Sequence, residues 1–240
     1  MVGAAAAIAL AGCGAGGPEV RATIDRAEWR PVRIVAPAPV MPGDAVPAGP
    51  ALPGGLVRPT PEEAGMSVHD ALCAGLAASA TDITLTSSFS RSETAAAAAR
   101  AARQYLEARS VDPAAARGLA EEGGADAVLL IAVLRFGPES ETEVSTQAKS
   151  VNTKVGTTDV GISSAATRVM IWFNAQFRCA LVRVNDGAVI WDVGVRRREK
   201  PGLIREVSQA SVLEDAVKTV CDAFPWKRAD EEPAPGTPGR

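Results

Sequence analysis

Between Gly123 and Phe136 the chain reads Gly-Gly-Ala-Asp-Ala-Val-Leu-Leu-Ile-Ala-Val-Leu-Arg-Phe, the longest apolar run after the N-terminal segment. It is too short to cross a bilayer as a helix. A run this apolar predicts a strand buried on both faces, and such a strand needs cover on each side. The segments before and after it are therefore expected to supply its helices and its sheet neighbours.

The rest of the chain can support one such core. With 240 residues, 47% hydrophobic and 22% charged, one domain of roughly 150 residues plus tails is expected. A net charge of -3 and a pI near 5.4 exert no global pull toward nucleic acid, which is excluded as an expected partner. Nine prolines fall between Pro31 and Pro61, and Pro233, Pro235 and Pro238 punctuate the C-terminus, marking linker and tail. The expected division is a signal peptide over 1–12, a tether over 13–30, one domain over 31–225 and a disordered tail over 226–240.

Met1 to Gly12 carries no charged side chain and is dominated by Ala, with Ile8 and Leu10 as its larger apolar residues. This is the pattern of a signal-peptide core. Leu10-Ala11-Gly12-Cys13 resembles the bacterial lipobox. That resemblance implies lipidation at Cys13, and acyl chains contribute roughly 0.8 kcal/mol per buried methylene to membrane attachment. Gly14, rather than Asp, follows Cys13. By analogy with lipoprotein sorting in Gram-negative bacteria, this places the chain in the outer membrane on the periplasmic side. Cys73, Cys179 and Cys221 remain, so at most one disulfide can form within the chain. Cys73 with Cys221, both on predicted helices, is the first pair to consider, beside the alternative of three small core residues.

In chain order, Pro31 to Val40 reads as a first strand whose second half, with Pro37 and Pro39, belongs at an edge or outside the sheet. A loop follows from Met41 to Pro61. Ser67 with Asp70, ahead of Val68, Leu72 and Leu76, predicts a helix over 67–80. Asp82 to Ser87 alternates as a second strand, and Ser92 to Arg109 is Ala-rich and free of helix breakers. Asp112-Pro113 opens another helix that Gly123-Gly124 stop. Gly137-Pro138 is expected to end the apolar strand, leaving 137–168 as a long polar loop or ribbon.

Two further strands can be put in register. Val169, Ile171, Phe173, Ala175, Phe177, Cys179 and Leu181 are apolar at odd positions, as are Val189, Trp191, Val193 and Val195. A three-residue Asn185-Asp186-Gly187 loop, with Gly187 at positive φ, sets Leu181 opposite Trp191 and Cys179 opposite Val193. Leu213, Val217, Val220 and Phe224 then line one face of a last helix that stops at Pro225. The expected fold is α+β, a single mixed sheet of about five strands covered by helices.

The early strand Arg33 to Ala36, the Gly-Gly-Ala-Asp-Ala-Val of Gly123 to Val128 and the Leu181 to Trp191 hairpin resemble a group of bacterial envelope proteins. These are the curli secretion channel lipoprotein, the lipoprotein activators of penicillin-binding proteins and the amino-terminal domain of the Tol translocation protein B. The resemblance implies a lipid-anchored, non-enzymatic module that binds another envelope component or assembles into homo-oligomers. A secretion-pore subunit is the alternative, but it needs membrane hairpins with apolar outward positions. Val144, Thr146, Ala148 and Ser150 are a weak apolar face for that role.

Chemistry-bearing motifs are sparse. His69 is the single histidine and reads as solvent-facing or capping; Gly14 to Gly17 and Gly54-Gly55 lack the rest of a phosphate loop, and Glu121 and Glu122 sit at a helix end. No catalytic, metal or cofactor residue is expected, and a periplasmic enzyme is a distant alternative. The candidate partner-binding residues are the basic run Arg196, Arg197 and Arg198, together with Lys149 and Lys154 of the polar segment. A contact with an acidic partner or with anionic headgroups stands beside a plain solvated strand end.

Overall fold

In a computed structural model, the structure describes residues 19–22, 29–88, 92–121, 124–149, 162–201 and 207–226. The strands are β1 (Glu19–Ala22), β2 (Arg33–Pro37), β3 (Thr84–Ser88), β4 (Ala127–Lys149), β5 (Ile162–Arg183) and β6 (Val189–Glu199). The helices are α1 (Pro61–Ser79), α2 (Ser92–Ala108), α3 (Pro113–Ala120) and α4 (Gln209–Ala223), with a short 3-10 turn at Pro53–Gly55. The architecture is α+β, with one mixed six-stranded sheet in the order β1-β6-β5-β4-β2-β3.

β4 is the buried central strand that its composition demands. Ala127, Leu129, Ile131 and Val133 join the core under α1 and α4, whereas Val128 and Leu130 join the core under α2 and α3. β2 and β3 run parallel to β4 on one side, joined through α1 and then through α2 and α3. On the other side β5 runs antiparallel to β4, and β6 antiparallel to β5.

α1 begins six residues before the predicted position 67. Thr60 caps it, accepting from Glu63 N (3.2 Å) while Glu63 Oε2 accepts from Thr60 N (2.8 Å), with Pro61 in the first turn. Ser67 is therefore mid-helix, donating to Glu63 O at 2.7 Å. Gly75 marks the crossing of α1 and α4, for a Cβ there would lie 2.8 Å from Val217 Cγ1 and 2.9 Å from Cys221 Sγ. The expected face of α4 is buried; Phe224 meets Trp191 and Trp226 edge-on at centroid distances of 5.4 and 5.6 Å, and Trp226 meets Trp29 edge-on at 6.1 Å. Asp112 caps α3 by accepting from Ala114 N at 3.0 Å, as its position before Pro113 predicts.

Three expectations are corrected. The sheet has a sixth strand, because Glu19–Ala22 of the predicted tether pairs with Trp191 to Gly194 of β6. The second half of the first strand leaves β4 as expected: past Val35 the two part, Pro37 pairs only with Ser88 of β3, and the chain meets β4 again at the bridge Val40↔Ala132. Pro138 does not end β4. Past Val133 a bulge shifts the register and β2 no longer flanks the strand, so Pro138 sits at an edge where its missing N–H is tolerated, paired with Phe173. Consequently 139–149 and 162–168 are ladder, not loop.

The β5–β6 hairpin keeps the predicted register, with Leu181 opposite Trp191 and Cys179 opposite Val193. Its turn differs in detail. Arg183 and Ala188 close a loop of Val184 to Gly187, one residue longer than predicted, and a bulge between Leu181 and Val182 restores the register. Gly187 has the expected positive φ, +70°. Cys73, Cys179 and Cys221 are all free thiols, so the pairing considered for Cys73 with Cys221 is absent.

Candidate functional site

The bulge in β4 determines which side chains meet. Before it, alternate residues from Ala127 to Val133 face α1 and α4; after it, Phe136 takes over that face beside Ala175 and Phe173. Arg135 and Glu139 then lie on the opposite face. There α2 and α3 cover β4 and β5 only as far as Leu130 and Ala180, and beyond them the far end of the sheet is polar.

That end holds a cavity of about 250 Å³ lined by Arg135, Glu139, Asn174, Gln176, Arg196 and Arg198 among others. Asn174 is 3% exposed and donates from Nδ2 to Gly137 O (3.3 Å) and Glu139 Oε2 (3.4 Å). Arg135 pairs with Glu139 at 2.5 Å, and its Nε is buried without a partner. Arg198 pairs with Glu141 at 3.0 Å and lies over the Trp172 ring, 4.3 Å from the centroid. Lys200 Nζ is 5.5 Å from the same ring. Arg196 is exposed and has no ion-pair partner among the described residues.

The predicted basic run is thus divided by the pleat. Arg196 and Arg198 share the cavity face, opposite Gln176 and Asn174 of β5, whereas Arg197 turns to the other face and donates to Thr219 Oγ1 of α4 at 3.0 Å. Lys149 ends β4, ten ladder pairs beyond Glu139. Lys154 and Cys13 lie outside the described residues, as do the predicted signal peptide and the tail beyond Trp226. Arg135, Glu139, Asn174 and Trp172 were not singled out from sequence. Their placement depends on the bulge and on continuation of β4 past Pro138, neither of which leaves a local pattern.

A buried polar network below this end fastens β1. Arg109 Nη1 donates to Asp192 Oδ2 (3.0 Å) and Tyr105 Oη (3.1 Å), and Arg178 reaches both Asp192 (3.9 Å) and Glu19 of β1 (2.5 Å). Burial pushes the Asp192 carboxyl up, against the lowering effect of the Tyr105 hydroxyl and Arg109. Asp192 is held between Arg109 and Arg178, whose Nη1 makes an ion pair but no hydrogen bond, which is the pattern of a structural clamp.

On the opposite face a groove of about 660 Å³ runs between Val57, Pro59, Phe136, Pro138, Phe173 and Leu213. It is mainly apolar. His69, expected at the surface, is fully buried under α1, with Nε2 3.3 Å from Ala36 O and Nδ1 3.1 Å from Asp70 Oδ1. The neighbouring Cys73 thiol is pushed up to about 11, by burial first and by Asp70 second, so it is not a poised nucleophile. Among the described residues no group of three His, Cys, Asp or Glu is placed to hold a metal ion. No described helix is long and apolar enough to cross a membrane.

The remaining feature is the β4–β5 ribbon. β6 ends opposite Phe173, but β4 and β5 stay paired from Ser140↔Ile171 to Lys149↔Ile162, ten residue pairs with no third strand among the described residues. At about 3.4 Å per residue that is roughly 34 Å of two-stranded sheet.

No family model and no curated protein match the sequence. Among solved structures, the chain is similar to a PelC dodecamer from Paraburkholderia phytofirmans, at 15% identity and a TM-score of 0.43, over 88% of this chain and 99% of that one. It is also similar to the lipoprotein GNA1162 from Neisseria meningitidis, at 16% identity and a TM-score of 0.37, over 79% of this chain and 98% of that one. A third is protein XCC0632 from Xanthomonas campestris, a DUF330 protein, at 13% identity and a TM-score of 0.37, over 86% of this chain and 89% of the other. None of these three is a protein that the strand and hairpin motifs resemble.

Proposed function

We propose that the chain is a lipid-anchored envelope protein, held at the periplasmic side of the outer membrane through Cys13, that acts as a non-enzymatic binding or assembly module. The observation that carries the assembly part is the ribbon. Two strands standing alone in water are marginal, and both their outer edges offer unpaired backbone groups for another chain. A ribbon kept ten pairs beyond its sheet gains most when a partner covers it. The partner is another envelope protein or a second copy of this chain. The anchor part is supported by the Leu10-Ala11-Gly12-Cys13 signature.

A second reading, the secretion-pore subunit, is favoured by the same length, since transmembrane strands need about 9–11 residues. The register works against it. Alternate positions of β4, Ser140, Thr142, Val144, Thr146 and Ala148, pair in register with Ile171, Val169, Thr167, Ala165 and Ser163, a set with three large apolar residues and many hydroxyls.

Photo-crosslinking in cells separates the two. A benzoylphenylalanine at Glu143 or Ser145 is expected to give a discrete protein adduct, to itself or to another envelope protein. Adducts to lipid alone would contradict the assembly reading and favour the pore.

A further inference from the structure

The direction of β1 places the membrane anchor. β1 is antiparallel to β6, with Ala22 opposite Trp191 and Glu19 opposite Gly194. The chain therefore enters β1 from the end of β6 that continues into Val195, Arg196, Arg197 and Arg198. Five residues lie between Cys13 and Glu19, a reach of at most about 20 Å when fully extended. Glu19 is itself pinned to Arg178 on the cavity face, so the entry point is fixed to the sheet.

The surface beside that point has the chemistry of a headgroup contact. On one face stand Arg135, Arg196, Arg198 and Lys200, whose ion pairs among the described residues are with two carboxylates, Glu139 and Glu141. Arg196 has no ion-pair partner among the described residues, and Arg135 Nε is buried without an acceptor. Trp172, the residue type that settles at a membrane–water interface, lies under Arg198 and Lys200. Acyl chains combined with a basic patch hold a protein to an anionic surface more firmly than either alone.

We infer that the Arg135, Arg196, Arg198 and Lys200 surface lies against anionic phospholipid headgroups of the leaflet that holds Cys13, a conclusion resting on the lipid-anchor reading above. The domain then has a defined orientation, in which this surface faces the membrane and the ribbon runs along it rather than into the bilayer.

Vesicle flotation tests this with the mature chain from position 13 carrying Cys13→Ala, so that no acyl chain contributes. Vesicles of phosphatidylethanolamine with a quarter phosphatidylglycerol are expected to float the protein at 50 mM NaCl, and phosphatidylcholine vesicles are not. The double variant Arg196→Glu with Arg198→Glu should lower partitioning about tenfold or more, and the milder Arg196→Gln by severalfold with an unchanged melting temperature. Arg103→Glu, on the exposed side of α2, should bind as the parent does. At 0.5 M NaCl binding should vanish. Equal flotation of parent and double variant, or no flotation, would overturn the inference. So would flotation that survives high salt, which means insertion, or binding of poly-glutamate in place of vesicles, which means an acidic protein partner. The intact mass of the native protein reports the anchor separately, so loss of one conclusion is distinguishable from loss of the other.

Discussion

Gly187 couples the hairpin to a helix it never touches in sequence. Its φ is +70°, and a Cβ there would sit 2.2 Å from Val111 O and 3.0 Å from Pro113 N at the start of α3. Gly187→Ala meets both left-handed strain and a collision with backbone, so a loss of roughly 2–5 kcal/mol is expected in urea denaturation. The thiols report burial in another way. Since burial and Asp70 push Cys73 up to about 11, its alkylation at pH 8 should run about two orders of magnitude slower than that of a free cysteine. The rate should rise about tenfold per pH unit up to pH 10, because only the thiolate reacts. Cys179 and Cys221, also pushed up by burial, should react only after unfolding. A fast native reaction at pH 8, or fewer than three titratable thiols in denaturant, would contradict this arrangement.

The ribbon is an appendage of the domain. Its strands pair with each other beyond the end of β6, and the core residues stop at Phe136 and Phe173. Replacing residues 142–168 with a short Gly-Ser turn is therefore expected to leave the melting temperature within a few degrees of the parent's. A large drop in melting temperature would place the ribbon in the fold's own stability. The ribbon also shows where the sequence was legible. Strong periodicity marked β4, β5, β6 and the face of α4, and the Asp112-Pro113 pair marked α3. Gly137-Pro138 carried a stop signal that a missing neighbour strand cancels, because Pro at a sheet edge loses no ladder bond. The Thr60 to Glu63 capping box was present in the sequence, but it sat at the end of a Pro-rich stretch and α1 was placed later. β1 was hidden because four residues, Glu-Val-Arg-Ala, have no pattern of their own and gain strand structure only from β6 and the Glu19–Arg178 pair.

The candidate site was legible as a composition and not as a place. Arg196, Arg197 and Arg198 stand out as a run, but the pleat sends Arg197 to Thr219 of α4 and leaves its neighbours to meet Arg135, Trp172 and Asn174 across the sheet. For the whole molecule these elements combine into one account. An α+β domain carries a two-stranded ribbon, proposed for assembly, and a basic surface, both at the end of the sheet where β1 begins. The placement at the membrane depends on the anchor. Intact mass and membrane fractionation of the native protein beside Cys13→Ala test that most directly. The account predicts a mature chain starting at Cys13, heavier by a diacylglyceryl and acyl group, recovered with the outer membrane, and an unmodified variant that loses this recovery. An unmodified native chain found free in the periplasm would contradict it.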